Sequence, residues 1–294
     1  MVGDDTVSEH RGKRVYGKAR HRDPVRSSRT CTAHRYGHKW VALCVLVHFP
    51  FANRPWALPV LVALYRSRQD NQQRGRRHRT PAQVMQQQLR VLLRWFPQRQ
   101  FRFAGDAGYG SHEMAAFAHH SGGRLTLVSK FPAAANLYEP PPPYAGKGRP
   151  RVKGAKAVAP QEVVATSRRT HLNVAWYGGG RRDVAVVTGT GHGYKGGEGL
   201  VPVRWVFVHD ETSTHRDEYL YSTDVTLTAA QVIEASTGRW NVETTFAELR
   251  AYLGVETTRG WCQRTVLRAE PCLFGLYSLV ALWYAPLPAE RQAQ

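Results

Sequence analysis

Cysteine is scarce in this 294-residue chain: Cys31, Cys44, Cys262 and Cys272 lie far apart and form no CxxC pair. That spacing argues against a disulfide framework or a thiolate zinc site and fits reduced thiols in a cytoplasm. Long hydrophobic runs are missing too. The longest, Cys272–Pro286, is interrupted by Gly275, Ser278 and Pro286. It falls short of the roughly 18–20 residues of a membrane span, so it reads as a buried core helix. The opening Met-Val-Gly-Asp-Asp has no apolar stretch, so no signal peptide is expected. Acidic residues are few, 22 against 41 Lys and Arg, which leaves a formal net charge of +19. A charge that large favours a polyanion as partner, nucleic acid or an anionic membrane.

The charge is uneven. Residues 1–100 carry 20 basic and 5 acidic side chains, residues 101–200 carry 13 and 6, and residues 201–294 carry 8 and 11. Against that basic background, 42% apolar and 11% aromatic residues supply a core. Trp40–His48 is a continuous apolar run that suits a strand buried on both faces, and 57–65 reads as another. Arg66–Arg79 reads as a solvated basic loop. Thr80-Pro81 then caps a helix that keeps Val84, Leu89, Leu92 and Leu93 on one face. Phe101–Asp106 alternates like a strand, a glycine turn follows, and a helix to about His120 leads to a strand at 125–131. This order is an α/β pattern. Residues 137–160, rich in Pro and Gly, read as extended and mobile. Hairpin strands are expected near 171–177, 183–188, 201–208 and 218–222, and helices from about Ala229.

Three acidic positions invite a chemical reading. Asp4 and Asp5 end a strand-like start, Asp106 follows the FRFAG strand, and Glu243 lies inside STGRWNVETTFAELRAYLG. Open α/β sheets place active sites outside the carboxyl ends of their strands. Three carboxylates gathered there suit Mg²⁺, a hard cation that prefers oxygen. Two such ions about 4 Å apart serve phosphodiester displacement. Each acid also has a plainer reading: a solvated strand end, a turn initiator, a surface helix position. The residues alone leave both readings open.

The string RWNVETTFAELRAYLG resembles the glutamate region of bacterial insertion-sequence transposases of the DDE superfamily, whose catalytic domain is ribonuclease H-like. One branch carries Tyr-x2-Arg-x3-Glu-x6-Lys. Arg239 and Glu243 fit it, while Ser236 stands for the tyrosine and Arg250 for the lysine. GDDT, FRFAGDAGYG and WCQRTVLRAEP resemble the same group, so the likeness runs along nearly the whole chain. It implies Asp4, Asp106 and Glu243 as the metal-binding triad, with 101 and 136 residues between them. Asp-x-Thr favours Asp4, with Asp5 as the alternative. The resemblance further implies two Mg²⁺ ions, with Mn²⁺ plausible, and DNA at element ends and target as partner. A dimer assembled on that DNA, in the bacterial cytoplasm and associated with the nucleoid, completes the expectation, with no membrane involved. The implied fold is a ribonuclease H-like mixed sheet with flanking helices and an inserted mostly-β subdomain. The divisions expected are 1–131 for the first part of the core, 132–225 for linker and insertion, and 226–294 for the helical part. This group usually has a DNA-binding region before the core, and only three residues precede Asp4, so an N-terminally truncated chain is expected.

On one continuous helix, Arg239, Glu243, Phe246 and Arg250 share a face, which lets both arginines reach phosphates beside the glutamate. Trp240 is expected to pack in the core. Arg74, Arg76, Arg77 and Arg79, with Lys147, Arg149 and Arg151 around a Gly-Arg-Pro, are candidate DNA contacts. The thirteen histidines, including Gly37-His38-Lys39-Trp40 and His119-His120, lack convergent spacing, so no metal is assigned to them. The rival functions are a DNA-binding remnant without activity and a basic peripheral membrane protein.

Overall fold

The computed structural model describes residues 1–23, 26–28, 30–144, 146 and 148–287. In chain order the first elements are β1 (Val2–Glu9), β2 (Ala19–Arg22), β3 (His34–Val47), β4 (Trp56–Tyr65), α1 (Arg68–Gln73) and α2 (Pro81–Trp95). Next come β5 (Phe101–Gly105), α3 (His112–His119), β6 (Leu125–Lys130), β7 (Leu137–Tyr138), α4 (Pro160–Thr166) and β8 (Thr170–Ala175). The chain continues with β9 (Arg181–Lys195), β10 (Gly199–Asp210), β11 (Glu218–Ser222), α5 (Ala229–Arg239), α6 (Asn241–Tyr252) and α7 (Gln263–Tyr284). Two compact units result, one of Met1 and Phe96–Trp240, the other of Val2–Trp95 and Asn241–Gln294.

The unit containing β1 is built on β3, which is long enough to serve several partners. β1 lies antiparallel along one edge, with Asp4 opposite Ala42 and Ser8 opposite His38. On the other edge β3 pairs first with β2 and then with β4. Trp40 to Cys44 are fully buried in succession, as a strand covered on both faces requires. Helix α2 contacts β3 and β4, and the Gln88 amide donates to the Val41 carbonyl at 2.9 Å. Its start is a reciprocal cap: Thr80 Oγ1 accepts from the Gln83 N–H at 3.3 Å, and Gln83 Oε1 accepts from the Thr80 N–H at 3.2 Å. Helices α6 and α7 also pack in this unit, α6 on β1 and β4 and α7 on β4.

The other unit holds a mixed sheet in the order β5-β6-β11-β10-β9-β7, with β8 also on β9. β5 and β6 are parallel, joined through α3, and β11, β10 and β9 continue antiparallel from β6. The hairpin strands expected after 165 therefore extend the β5–β6 sheet. Helix α5 opens on a capping box at Thr228 and Gln231 and contacts β5, β6, β8 and β11. At the end of β10, Asp210 is buried. It accepts from the Thr212, Thr214 and His215 backbone N–H groups and pairs with Arg182 at 3.2 Å. The mixed α/β class, a mixed sheet flanked by helices, is the expected one.

Several expectations need correction. β1 runs on to Glu9, so Asp4 and Asp5 lie within the strand rather than at its end. The basic loop contains α1, six residues capped by Ser67, whose hydroxyl accepts from the Asp70 N–H. Segment 137–160 is partly pinned: β7 pairs with β9, Tyr138 bridges Lys156, and the Lys153 ammonium lies 3.6 Å from the Tyr138 ring centroid. α7 is longer than the apolar run suggested, and by length and composition it could cross a membrane. It buries Val266, Glu270, Phe274, Tyr277 and Ala281 on one face and exposes Leu276, Leu279, Val280, Leu282 and Trp283. A fully buried helix was expected; half of this one is not.

Candidate functional site

Strand alternation separates the two neighbouring acids of β1, because successive side chains point to opposite faces. Asp4 shares its face with Thr6 and Ser8. Thr6 accepts a hydrogen bond from Arg250 of α6 at 2.9 Å, and Ser8 donates to Glu270 of α7 at 2.7 Å. The Asp4 face is therefore the one that α6 and α7 cover. Asp4 Oδ1 accepts from the Asp5 N–H at 2.8 Å. Burial pushes the Cys44 thiol far up, and the nearby Asp4 carboxylate pushes it further in the same direction. Asp5 points the other way and pairs with Lys39 at 2.7 Å.

Asp106 directly follows β5 and caps the short 3-10 turn Ala107–Tyr109, its Oδ1 accepting from the Gly108 N–H at 2.9 Å. Its carbonyl accepts from Ser129 Oγ at 2.7 Å, which ties the turn to β6. The glycines here are required by close approach. A Cβ at Gly105 would lie 2.6 Å from Tyr109 Cβ, and one at Gly110 would lie 2.8 Å from the Lys130 carbonyl oxygen. Turn initiation and a carboxylate at a strand's C-terminal end thus coexist in one residue.

Glu243 stands exposed in the first turn of α6, where a negative charge suits the helix N-terminus. The single helix expected through this region is two, divided at Trp240. Arg239 ends α5, while Glu243, Phe246 and Arg250 share α6, so the four-residue face does not form on one continuous cylinder. Trp240 is 47% exposed, not core, and sits edge-on to Tyr177 with ring centroids 5.8 Å apart. Arg250 bonds the Phe246 carbonyl and Thr6 and lies 3.4 Å from Glu256. Asp4 and Glu243 are thus carried by contacting elements of one unit, whereas Asp106 and Arg239 belong to the other.

Of the basic candidates, Arg74 is engaged locally, with Asp70 at 2.8 Å and with its guanidinium 4.6 Å from the Tyr16 ring centroid. Arg76, Arg77 and Arg79 line a cleft of about 450 Å³ together with Arg66, which the sequence pattern does not single out. Arg149 and Arg151 are exposed. Lys147 lies outside the described residues. Sequence reasoning also missed a buried group of His10, His38 and Glu270. The spacing of these residues carries no sign of it; the strand register that sets His38 opposite Ser8 brings them together.

A family model described as "DDE superfamily endonuclease" matches residues 1–183. That span includes Asp4 and Asp106 and stops before Glu243. Among solved structures, a cryo-EM structure of a piggyBac transposase synaptic complex with hairpin DNA is similar at 14% identity and a TM-score of 0.44. The similarity covers 94% of this chain and 44% of that one, so the chain spans under half the length of that transposase. No curated protein matches the chain.

Proposed function

Because the chain belongs to the DDE superfamily endonuclease family, we propose that it is the catalytic domain of a bacterial insertion-sequence transposase of the Y-R-E-K type. It cleaves DNA at element ends and transfers the strand to a target, working in the cytoplasm as a dimer assembled on DNA. Asp4, Asp106 and Glu243 hold the metal. The observation that carries this reading is the geometry of β1: the face that presents Asp4 is the face covered by α6, the helix that bears Glu243. The same geometry favours Asp4 over Asp5, whose charge is already met by Lys39.

The donor set fits hard divalent cations, since all three side chains offer only oxygen. Asp106 makes no ion pair among the described residues. Two Mg²⁺ ions, or Mn²⁺ in their place, would activate a water or 3′-hydroxyl and stabilise the leaving oxygen. The chain's own contribution is placement. The Thr6–Arg250 hydrogen bond holds α6 against the Asp4 strand, and the Ser129–Asp106 bond fixes the turn that aims the second acid. DNA phosphate would compete with Glu256 for the Arg250 guanidinium, while Arg239 contacts phosphate on its own unit. Arg76, Arg77 and Arg79, with Arg66, form a cleft suited to a phosphate backbone, Arg74, Arg149 and Arg151 extend the basic surface, and Lys147 is a further phosphate contact expected from sequence.

The test uses supercoiled plasmid and linear element-end DNA with Mg²⁺. The wild-type chain is expected to nick both, and Glu243→Gln to bind both without nicking. If both proteins bind DNA and leave it equally intact, the chain is a DNA-binding remnant and the enzymatic reading fails.

A further inference from the structure

The buried group of His10, His38 and Glu270 lies entirely within the unit that contains β1. Their ligand-type atoms all fall within 4.8 Å of one another. His10 Nε2 is 2.6 Å and His38 Nδ1 is 3.5 Å from the same oxygen, Glu270 Oε1. All three side chains are withdrawn from solvent, at 9%, 0% and 1% exposure.

His38 makes this group informative. Its Nε2 lies 2.8 Å from the Tyr16 carbonyl. A carbonyl only accepts, so Nε2 carries the hydrogen, and in the neutral ring Nδ1 carries a lone pair. That Nδ1 is buried and has no hydrogen-bond partner. It lies 3.5 Å from a carboxylate oxygen, and a neutral ring would set two acceptors against each other there, where no bulk water relieves them. Buried polar groups are otherwise almost always matched, and a cation between the two removes the mismatch.

We propose that His10 Nε2, His38 Nδ1 and Glu270 Oε1 bind a zinc-class divalent cation that fastens α7 to β3 and to the residue that follows β1. Two imidazoles and one carboxylate are ligands that zinc accepts. Mg²⁺ prefers oxygen alone, which sets this site apart from the carboxylate triad. Zinc bonds of about 2.0–2.2 Å place tetrahedral ligand atoms roughly 3.2–3.5 Å apart. The His38 separation already matches, and the His10 separation has to open by about 0.6–0.9 Å.

The surroundings have the form of an outer shell. The Tyr16 carbonyl fixes the His38 tautomer, and imidazole ligands are commonly oriented this way. Ser8 and the Trp40 indole N–H donate to Glu270 Oε2, and Thr258 donates to Oε1 at 2.9 Å. Among the described residues no fourth His, Cys, Asp or Glu joins the group, which leaves one tetrahedral position for water. His10 lies six residues along the chain from Asp4, about 20 Å if the strand geometry continued, so the ion would brace the scaffold rather than take part in cleavage.

The test uses the whole chain without DNA. After incubation with zinc chloride and desalting, elemental analysis is expected to find about one zinc per chain. The thermal midpoint should rise with zinc and fall with chelator, and magnesium chloride should do neither. His38→Gln keeps a donor for the Tyr16 carbonyl while removing Nδ1, and should lose both the bound zinc and the shift. Should that variant fail to fold, cobalt chloride added to the wild-type chain decides, since tetrahedral cobalt bound by imidazole gives strong visible absorption. No cobalt spectrum, or zinc retained equally by folded His38→Gln, overturns the proposal. The first result would mean a proton on Nδ1 bridges the pair, the second that surface histidines hold the metal.

Discussion

Asp4 and Asp5 differ by one position in sequence and by an entire environment in the fold. Asp4→Asn is expected to lower Mg²⁺-dependent nicking on the order of 10³-fold, the loss of several kcal/mol of transition-state stabilisation. Asp5→Asn removes only a half-exposed partner of Lys39, so nicking should stay within a few-fold and stability within about 1 kcal/mol. Equal loss in the two variants, read on the same plasmid, would reject the face assignment. A second residue-scale prediction concerns Asp210. Burial pushes its carboxyl up, but hydrogen bonds from Thr214, Thr212 and His215 outweigh that and hold it well below the usual carboxylate range. A lowered folded-state pKa stabilises above the unfolded value, near about 4, and that contribution disappears as pH falls further. Asp210→Asn should therefore lower the thermal midpoint at neutral pH and flatten its fall between pH 5 and 2, about 3 kcal/mol being typical when a buried ion pair loses one member.

At the scale of elements, apolar pattern and punctuation were legible and orientation was not. The run from Trp40 and the Thr80-Pro81 start describe β3 and α2 well, because continuous burial and a helix cap leave direct marks in sequence. The Phe101–Asp106 strand with its glycine turn was legible for the same reason. α1 was not, being six polar residues held by one Ser67 cap. The break at Trp240 had a mark in the sequence, since Ser236-Thr237-Gly238 before it and Asn241-Val242 after it are weak helix formers, but the repeat of Arg239, Glu243, Phe246 and Arg250 reads straight through it. The face that Asp4 shares with Thr6, as against the face of Asp5, needed the contact between Thr6 and Arg250, and the histidine group needed strand register. The glycine turn gives the test at this scale. Gly105→Ala sets a methyl against Tyr109 and should cost about 1–3 kcal/mol, as overpacking does. Displacement of Asp106 should make nicking fall more than stability does. Unchanged activity at full stability would show that the turn does not aim the acid.

For the whole molecule, the net charge of +19 narrows to identifiable surfaces. If Arg76, Arg77 and Arg79 neutralise phosphates, replacing all three with alanine should flatten the slope of log affinity against log salt by roughly 2–3, near 0.9 for each phosphate left without its cation. Fluorescence anisotropy on duplex DNA across a salt series measures this, and an unchanged slope would remove the cleft from the DNA-binding surface. The division of the chain also sets a timetable for synthesis. One unit takes its strands from residues 2–95 and its covering helices from 241 onward, while nearly all of the other is encoded in between. A ribosome finishes the middle unit while the first sheet, with Trp40 to Cys44 at its heart, still waits for α6 and α7. A released chain ending at Trp240 should therefore resist protease across 96–240 and be cut within 2–95, because the apolar strand β3 is then left without α6 and α7.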